Sequence, residues 1–304
     1  MNMRTIKADV LLLLTAAIWG GGFVAQRMGM EHVGPLTFNG VRFAMGGLSL
    51  LPLMAVLRIR ARRRGDAPHS AHAKDMLTGG ALAGLALFLG ATLQQVGLLY
   101  TTAGKAGFIT GLYLVIVPIL GLFFRQRTDA GTWLGAATAL AGLYLLSVTE
   151  QFSISKGDFL ELAGAFFWAG HLIIIGRFTR MMDPLLLSFL QFMACSFLSL
   201  CVAAVTETIS LGALMSAAMP ILYGGLISVG VAYTLQVVAQ QDASTAHAAI
   251  ILSLEAVFAT LDGWLILGES LSPRGAIGCA LMLTGMMVSQ LSTYLFSPKS
   301  AGAR

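Results

Sequence analysis

LQQVGLLYTTAGKAGFITGLYLVIVP, from Leu93 to Pro118, is too apolar for a soluble loop and too rich in Gly, Thr and Gln for a plain lipid-facing span. It reads as the end of one hydrophobic helix, a short turn at Thr101–Lys105, and a second hydrophobic helix. In that second helix Ala103, Gly107 and Gly111 recur every four residues and put small side chains on one face. In lipid such a stripe lets a neighbouring helix approach backbone to backbone. Gly107 is therefore expected at a close helix contact, and Leu98 is expected to face lipid. A weaker echo of the same unit lies near the other end of the chain: Gln236-Val-Val-Ala-Gln-Gln, then Ala243-Ser-Thr-Ala, then a helix running to Glu269.

Composition extends this reading to the whole chain. Of 304 residues, 57% are hydrophobic and 11% charged, with a mean hydropathy of +0.80; a soluble domain carries about 25% charged residues. Ten apolar segments follow at roughly 9–28, 35–57, 76–99, 104–124, 130–148, 157–176, 184–206, 213–238, 244–267 and 273–295. Each is near the ~20 residues that cross about 30 Å of hydrocarbon. The expected fold is an all-α integral membrane protein. The first span follows Arg4 and Lys7, but Gly20–Gly22 stands where a cleavage site would be, so a retained span is expected rather than a signal peptide. Cys195, Cys201 and Cys279 lie inside apolar spans without metal-ligand spacing and read as small buried hydrophobes. No metal site and no cofactor are expected. The isoelectric point near 9.3 does not signal nucleic acid, because the basic residues sit between spans, where orientation is decided.

With a cytoplasmic N-terminus, fourteen Lys and Arg fall on the inner side: Arg4, Lys7, six between Arg58 and Asp75, Arg125, Arg127, Arg177, Arg180, Lys299 and Arg304. Only Arg27, Lys105, Lys156 and Arg274 fall outside. The positive-inside rule then puts both termini in the cytoplasm. The chain also repeats. Asp9 and Trp19 match Asp158 and Trp168, and Pro35-Leu36 with Phe43 match Pro184-Leu185 with Phe192, at a common offset of 149. Gly79-Gly80 has a counterpart in Gly224-Gly225. Five spans per copy is an odd number, so copies 1–150 and 151–304 must insert in opposite senses, as an inverted repeat of the kind secondary transporters use.

These residues carry a resemblance. Ala17-Ile18-Trp19-Gly20, the set Gln94, Gly97, Tyr100-Thr101-Thr102-Ala103, Gly107 and Pro118, and Gly268-Glu269-Ser270-Leu271-Ser272 with Gly278 and Gly285 resemble the EamA-like branch of the drug/metabolite transporter superfamily. The resemblance covers essentially the whole chain. It implies ten helices, movement of small organic solutes such as amino acids, sugars or drug-like compounds across the bacterial inner membrane, and no ATP-binding domain. One departure stands out. Ala256 or Phe258 occupies the place of Pro118 in the second copy, which predicts a straighter ninth helix.

The polar and aromatic residues inside the spans are the candidate site. Glu255 lies about eleven residues into the ninth span, where a carboxylate is costly unless paired, protonated or facing water; Asp262 follows two turns later on the same face. Arg42, three residues after Asn39, reads as a counter-charge for Glu255, a clasp for a solute carboxylate, or a cation snorkelling to the interface. Trp19 and Trp168 occupy matching mid-membrane positions, away from the interfacial belt, and read as cavity wall or core. Gly20–Gly22 offer a bend or open backbone carbonyls. His171, one turn after Trp168, reads as a proton relay or a packing residue. Gln94, Tyr113, Tyr233 and Gln236 read as solute contacts or interhelical hydrogen bonds.

No GxxxxGK[ST], HExxH or GxSxG pattern is present. The expected function is a secondary transporter exporting an amino acid or drug-like solute by alternating access, with the bilayer as its environment and a homodimer left open. The alternatives are an intramembrane enzyme acting on lipid headgroups, for which no nucleophile–base cluster is visible, and a passive channel.

Overall fold

A computed structural model describes residues 3–64, 73–101, 103–123, 128–147, 155–266 and 272–296. Expectations for Thr102, Arg125, Arg127 and Gly268–Leu271 lie outside the described residues, as does the middle of the basic connection after Arg58. Among those described the chain is helical: α1 (Met3–Met30), α2 (Pro35–Arg64), α3 (Ala73–Gly97), α4 in two segments (Ala103–Gly111 and Tyr113–Phe123), α5 (Ala130–Ser147), α6 (Lys156–Phe178) and α7 (Pro184–Thr206). Next come a short helix Leu211–Ser216, a composite α8 (Ala218–Leu222, Tyr223–Tyr233 and Thr234–Ala239), α9 in two segments (Thr245–Leu252 and Glu255–Ile266) and α10 (Pro273–Phe296). Eight of these stretches are long and apolar enough to cross a membrane; Ala130–Leu146 is a shorter apolar helix. The fold is that of an all-α membrane protein.

The helix starts follow local chemistry. Pro35, Pro184 and Pro273 stand at first helical positions, where proline loses no hydrogen bond. Ser155 and Asp158 form a reciprocal capping box, and Asp183, Ser210, Ser244 and Ser272 accept amide protons at later N-termini. At the start of α2 the cap comes from elsewhere. Glu207, at the end of α7, accepts from the amides of Leu36 and Thr37 at 2.9 and 2.8 Å.

The principal helix pairings are preserved when each helix of the first five is exchanged with its partner five places on. The α3–α6 pairing has its counterpart in α8–α1, α3–α7 in α8–α2, and α4–α6 in α9–α1; α2–α7, α4–α9 and α5–α10 map onto themselves. The α5–α10 seam shows the rule at atomic scale. A Cβ on Gly135 would lie 2.6 Å from the carbonyl oxygen of Gly285, and one on Gly142 would lie 2.6 Å from that of Gly278; the reverse distances are 2.5 and 2.7 Å. In sequence Gly135 and Gly142 of the first half recur as Gly278 and Gly285 at an offset of 143.

Several expectations change here. A Cβ on Gly107 would meet no atom within 4 Å, whereas one on Gly111 would lie 2.9 Å from Leu143. The tight small-residue contact is thus the α5–α10 seam and not Gly107. Leu98 does not face lipid; it is buried with Phe23 and Ala106. The triple glycine of α1 does not interrupt the helix. Gly20 instead admits α9, since a Cβ there would lie 2.6 Å from that of Phe258. Finally, α9 is not straighter than α4. Both break, at Leu112 and at Ser253–Leu254, so Pro118 is not their common cause.

Candidate functional site

The breaks in α4 and α9 sit where these two helices cross. Leu112 and Leu254, Tyr113 and Glu255, and Gln94 and Gln236 are each separated by 142 residues. At the crossing the equivalent residues Tyr113 and Glu255 touch: the Tyr113 hydroxyl donates to Glu255 Oε1 at 3.3 Å. Around this contact lies a cavity of about 40 Å³, space for roughly three waters. All nine residues expected at the site line it: Trp19, Arg42, Gln94, Tyr113, Trp168, His171, Tyr233, Gln236 and Glu255. Seven helices from both halves contribute to that set.

Tyr233 is the hub of the aromatic wall. Its ring centroid lies 4.5 Å from that of Trp19, 6.2 Å from Trp168 in a stacked arrangement, and 6.4 Å from His171 at a near right angle. Phe43 and Phe192, equivalent in the repeat, back it from outside at 5.9 and 6.0 Å. Such pairs add about 0.5–1.5 kcal/mol each beyond their buried area, so the wall is stiff. The indole N–H of Trp19 points to the carbonyl of Ser228 at 3.4 Å, and Thr15 donates to that of Ala232 at 3.1 Å. Both carbonyls belong to Tyr223–Tyr233, an eleven-residue π-helical stretch. Such wide turns are uncommon and recur at functional sites.

The two charges of the cavity are not joined. Arg42 is 3% exposed, so it does not snorkel; its Nε donates to Asn39 Oδ1 at 3.0 Å and its guanidinium lies 4.9 Å from the Phe43 ring. Among the described residues no ion pair links it to Glu255. His171 is buried, with Nε2 2.7 Å from Gln191 Oε1, and is held from behind. Gln236 donates to Gln240, which donates to the Leu172 carbonyl. Among the described residues Trp168 Nε1, Gln26 Oε1 and Gln236 Oε1, all on lining residues, have no partner, and buried polar atoms of this kind are ordinarily satisfied by something in the adjoining space. Asp262 does not join the site: a Cβ on Gly21 would meet the Tyr223 hydroxyl at 2.9 Å and Asp262 Oδ2 at 3.4 Å, away from the lining.

Phe23, Gln26, Thr110, Leu172, Ser228 and Leu252 complete the lining. Helical spacing carries the signal for five of them. Phe23 and Gln26 follow Trp19 by four and seven residues, Leu172 follows Trp168 by four, and Thr110 and Leu252 precede Tyr113 and Glu255 by three. Ser228 has no such signal, because it faces the cavity through the π-helical stretch.

The model of the EamA-like transporter family matches residues 6–148 and again 155–290. An uncharacterized transporter of Archaeoglobus fulgidus is 33% identical over 95% of this chain and 88% of its own length. The uncharacterized inner membrane transporter YedA of Escherichia coli K12 is 25% identical over 93% of this chain and 90% of its own. A crystal structure of another protein, 19% identical, covers 95% of this chain and 99% of that one with a TM-score of 0.75, and shows the same fold. Two family matches in tandem, a relative alike over nearly the whole chain and a helical membrane fold agree: the chain belongs to the EamA-like transporter family, whose members are transporters rather than enzymes.

Proposed function

We propose that this transporter carries a small zwitterionic organic solute of the amino-acid class by alternating access between two inverted halves, 1–150 and 151–304. The observation that carries the reading is the separation of charge in the cavity. Arg42 and Glu255 line one space, yet each is held by a neutral partner, Asn39 and Tyr113, rather than by the other. A buried charge without a counter-charge is costly. A solute bearing both a carboxylate and an ammonium group offsets both at once, and its side chain meets the Trp19–Tyr233–Trp168 wall. Alternating access requires the halves to part around this space on one side at a time. The preserved principal helix pairings support a rocking motion about the α4–α9 crossing. The expectation of export rests on the resemblance, and the charge distribution supports cytoplasmic termini.

The test is counterflow in liposomes loaded with a labelled mixture of the twenty amino acids. Saturable exchange is expected, with loss in Arg42→Gln and in Glu255→Gln. Flux that does not saturate supports a channel, and flux of amines alone with Arg42→Gln unaffected removes the zwitterion.

A further inference from the structure

A second buried acid lies behind the cavity wall. Glu161, on the second turn of α6, is 0% exposed. Its Oε2 accepts from the Thr110 hydroxyl of α4 at 3.0 Å, and Thr110 lines the cavity. Beyond the break at Leu112, Tyr113 donates to Glu255. Residues on either side of the α4 break thus each donate to one buried acid of the second half. Glu161 Oε1 lies in the seam between α3 and α6. A Cβ on Gly97 would lie 2.7 Å from it, and one on Gly157 would lie 2.6 Å from the Gly97 carbonyl oxygen. Among the described residues nothing bonds Oε1, and a fully buried polar atom without a partner needs a reason.

Packing does not supply that reason. At the repeat offset of 149 the counterpart of Glu161 is Leu12, which is also 0% exposed and belongs to the main apolar core. An aliphatic side chain fills the same place in the other half.

The charges around Glu161 do not pair with it. On its own helix Lys156 lies 5.4 Å from the centroid of the Tyr100 ring, and Asp158 is engaged by Thr101 and by the Ser155 amide; His171 and Arg177 lie further along. From the helices packed against it the ionisable groups are Tyr100 after α3, Lys105 and Tyr113 on α4, and Glu255 on α9. The Lys105 side chain lies outside the described residues. Among the described residues Glu161 makes no ion pair. As a carboxylate it would be a buried charge met by one neutral donor, which is costly in hydrocarbon. The acid form carries no charge and keeps an oxygen to accept from Thr110.

We propose that Glu161 is the proton-carrying residue of the transporter: it holds a proton while the α3–α6 seam is closed and exchanges it with water when that end opens. This rests on the alternating-access reading but not on the identity of the solute, and it leaves Glu255 free for the solute's ammonium group.

The first test needs no solute. Infrared spectra of the parent protein and of Glu161→Gln are compared in liposomes at neutral pH. Their difference should contain the C=O stretch of a carboxylic acid, and in heavy water that band should shift well before the slowest backbone amides exchange. Glu255→Gln should keep the band. Where Glu161→Gln melts early, Glu161→Leu, which copies Leu12 of the other half, should lose it in the same way. A carboxylate stretch in place of the acid band overturns the proposal, since the group then holds no proton. An acid band that shifts only with the slowest amides overturns it too, because the proton then leaves only on global unfolding. In liposomes that show amino-acid counterflow, solute-driven proton movement should be lost in Glu161→Gln, and its persistence would also overturn the role. Failure of counterflow with an exchanging acid band intact removes the solute assignment and not the proton site.

Discussion

At the scale of the residue, the proposed solute contacts are Glu255 and Arg42, which line one cavity and are bonded to neutral partners rather than to each other. Glu255→Gln keeps an acceptor for the Tyr113 hydroxyl but removes the charge. Hydrogen bonds to charged groups are worth about 1.5–3 kcal/mol, so amino-acid affinity should fall roughly ten- to hundredfold at every pH, read as solute-induced thermal shift. Tyr113→Phe, which removes a neutral partner only, should cost about 0.5–1.5 kcal/mol and leave selectivity unchanged. Equal affinity in Glu255→Gln and the parent protein would show that the carboxylate does not touch the solute. The candidates themselves were legible before any fold was known, because an ionisable or amide side chain in the middle of an apolar span is expensive and needs a reason. Their partners were not. Arg42 was open to an ion pair with Glu255, and only the packing of α2 and α3 shows the space occupied differently, with Asn39 bonded to Arg42 on one side and to the Ala91 carbonyl on the other.

At the scale of the element, the decisive contacts are backbone to backbone. Gly142→Ala places a methyl group against the Gly278 carbonyl and should destabilise the protein by about 1–3 kcal/mol or more. Gly107→Ala enters open space on a helix and should be neutral or stabilising by up to about 1 kcal/mol. Thermal melts of the two variants in one detergent decide it, and similar melting temperatures would show that the α5–α10 seam is not the tight one. Glu207→Ala removes the cap on two amides of α2 and should cost about 0.5–2 kcal/mol, measured the same way and rescued in part by Glu207→Asp. The two stripes look alike in sequence, since both are glycines at helical spacing. Whether a glycine is crowded depends on the chain that lies across it. For Gly142 that chain is α10, 136 residues away at Gly278, a contact no local pattern reports.

At the scale of the whole molecule, topology and symmetry are the testable properties. A cysteine at Ala67, in the basic connection, should be labelled only from the cytoplasmic face; labelling from outside intact cells would reverse the orientation. Length, hydrophobicity and a repeat at an offset of 149 were enough to establish the membrane class, while the family resemblance rested on short motifs such as Ala17-Ile18-Trp19-Gly20. The membrane class is set by the cost of leaving backbone polar groups in hydrocarbon, a cost each segment meets on its own. The cavity that gathers Arg42 and Glu255, the breaks at Leu112 and Ser253–Leu254 and the π-helical stretch beside Trp19 were settled only by the tertiary structure. Each joins residues from distant helices, and in lipid the choice of neighbour rests on side-chain fit and interhelical hydrogen bonds rather than on hydrophobicity, which every helix here shares.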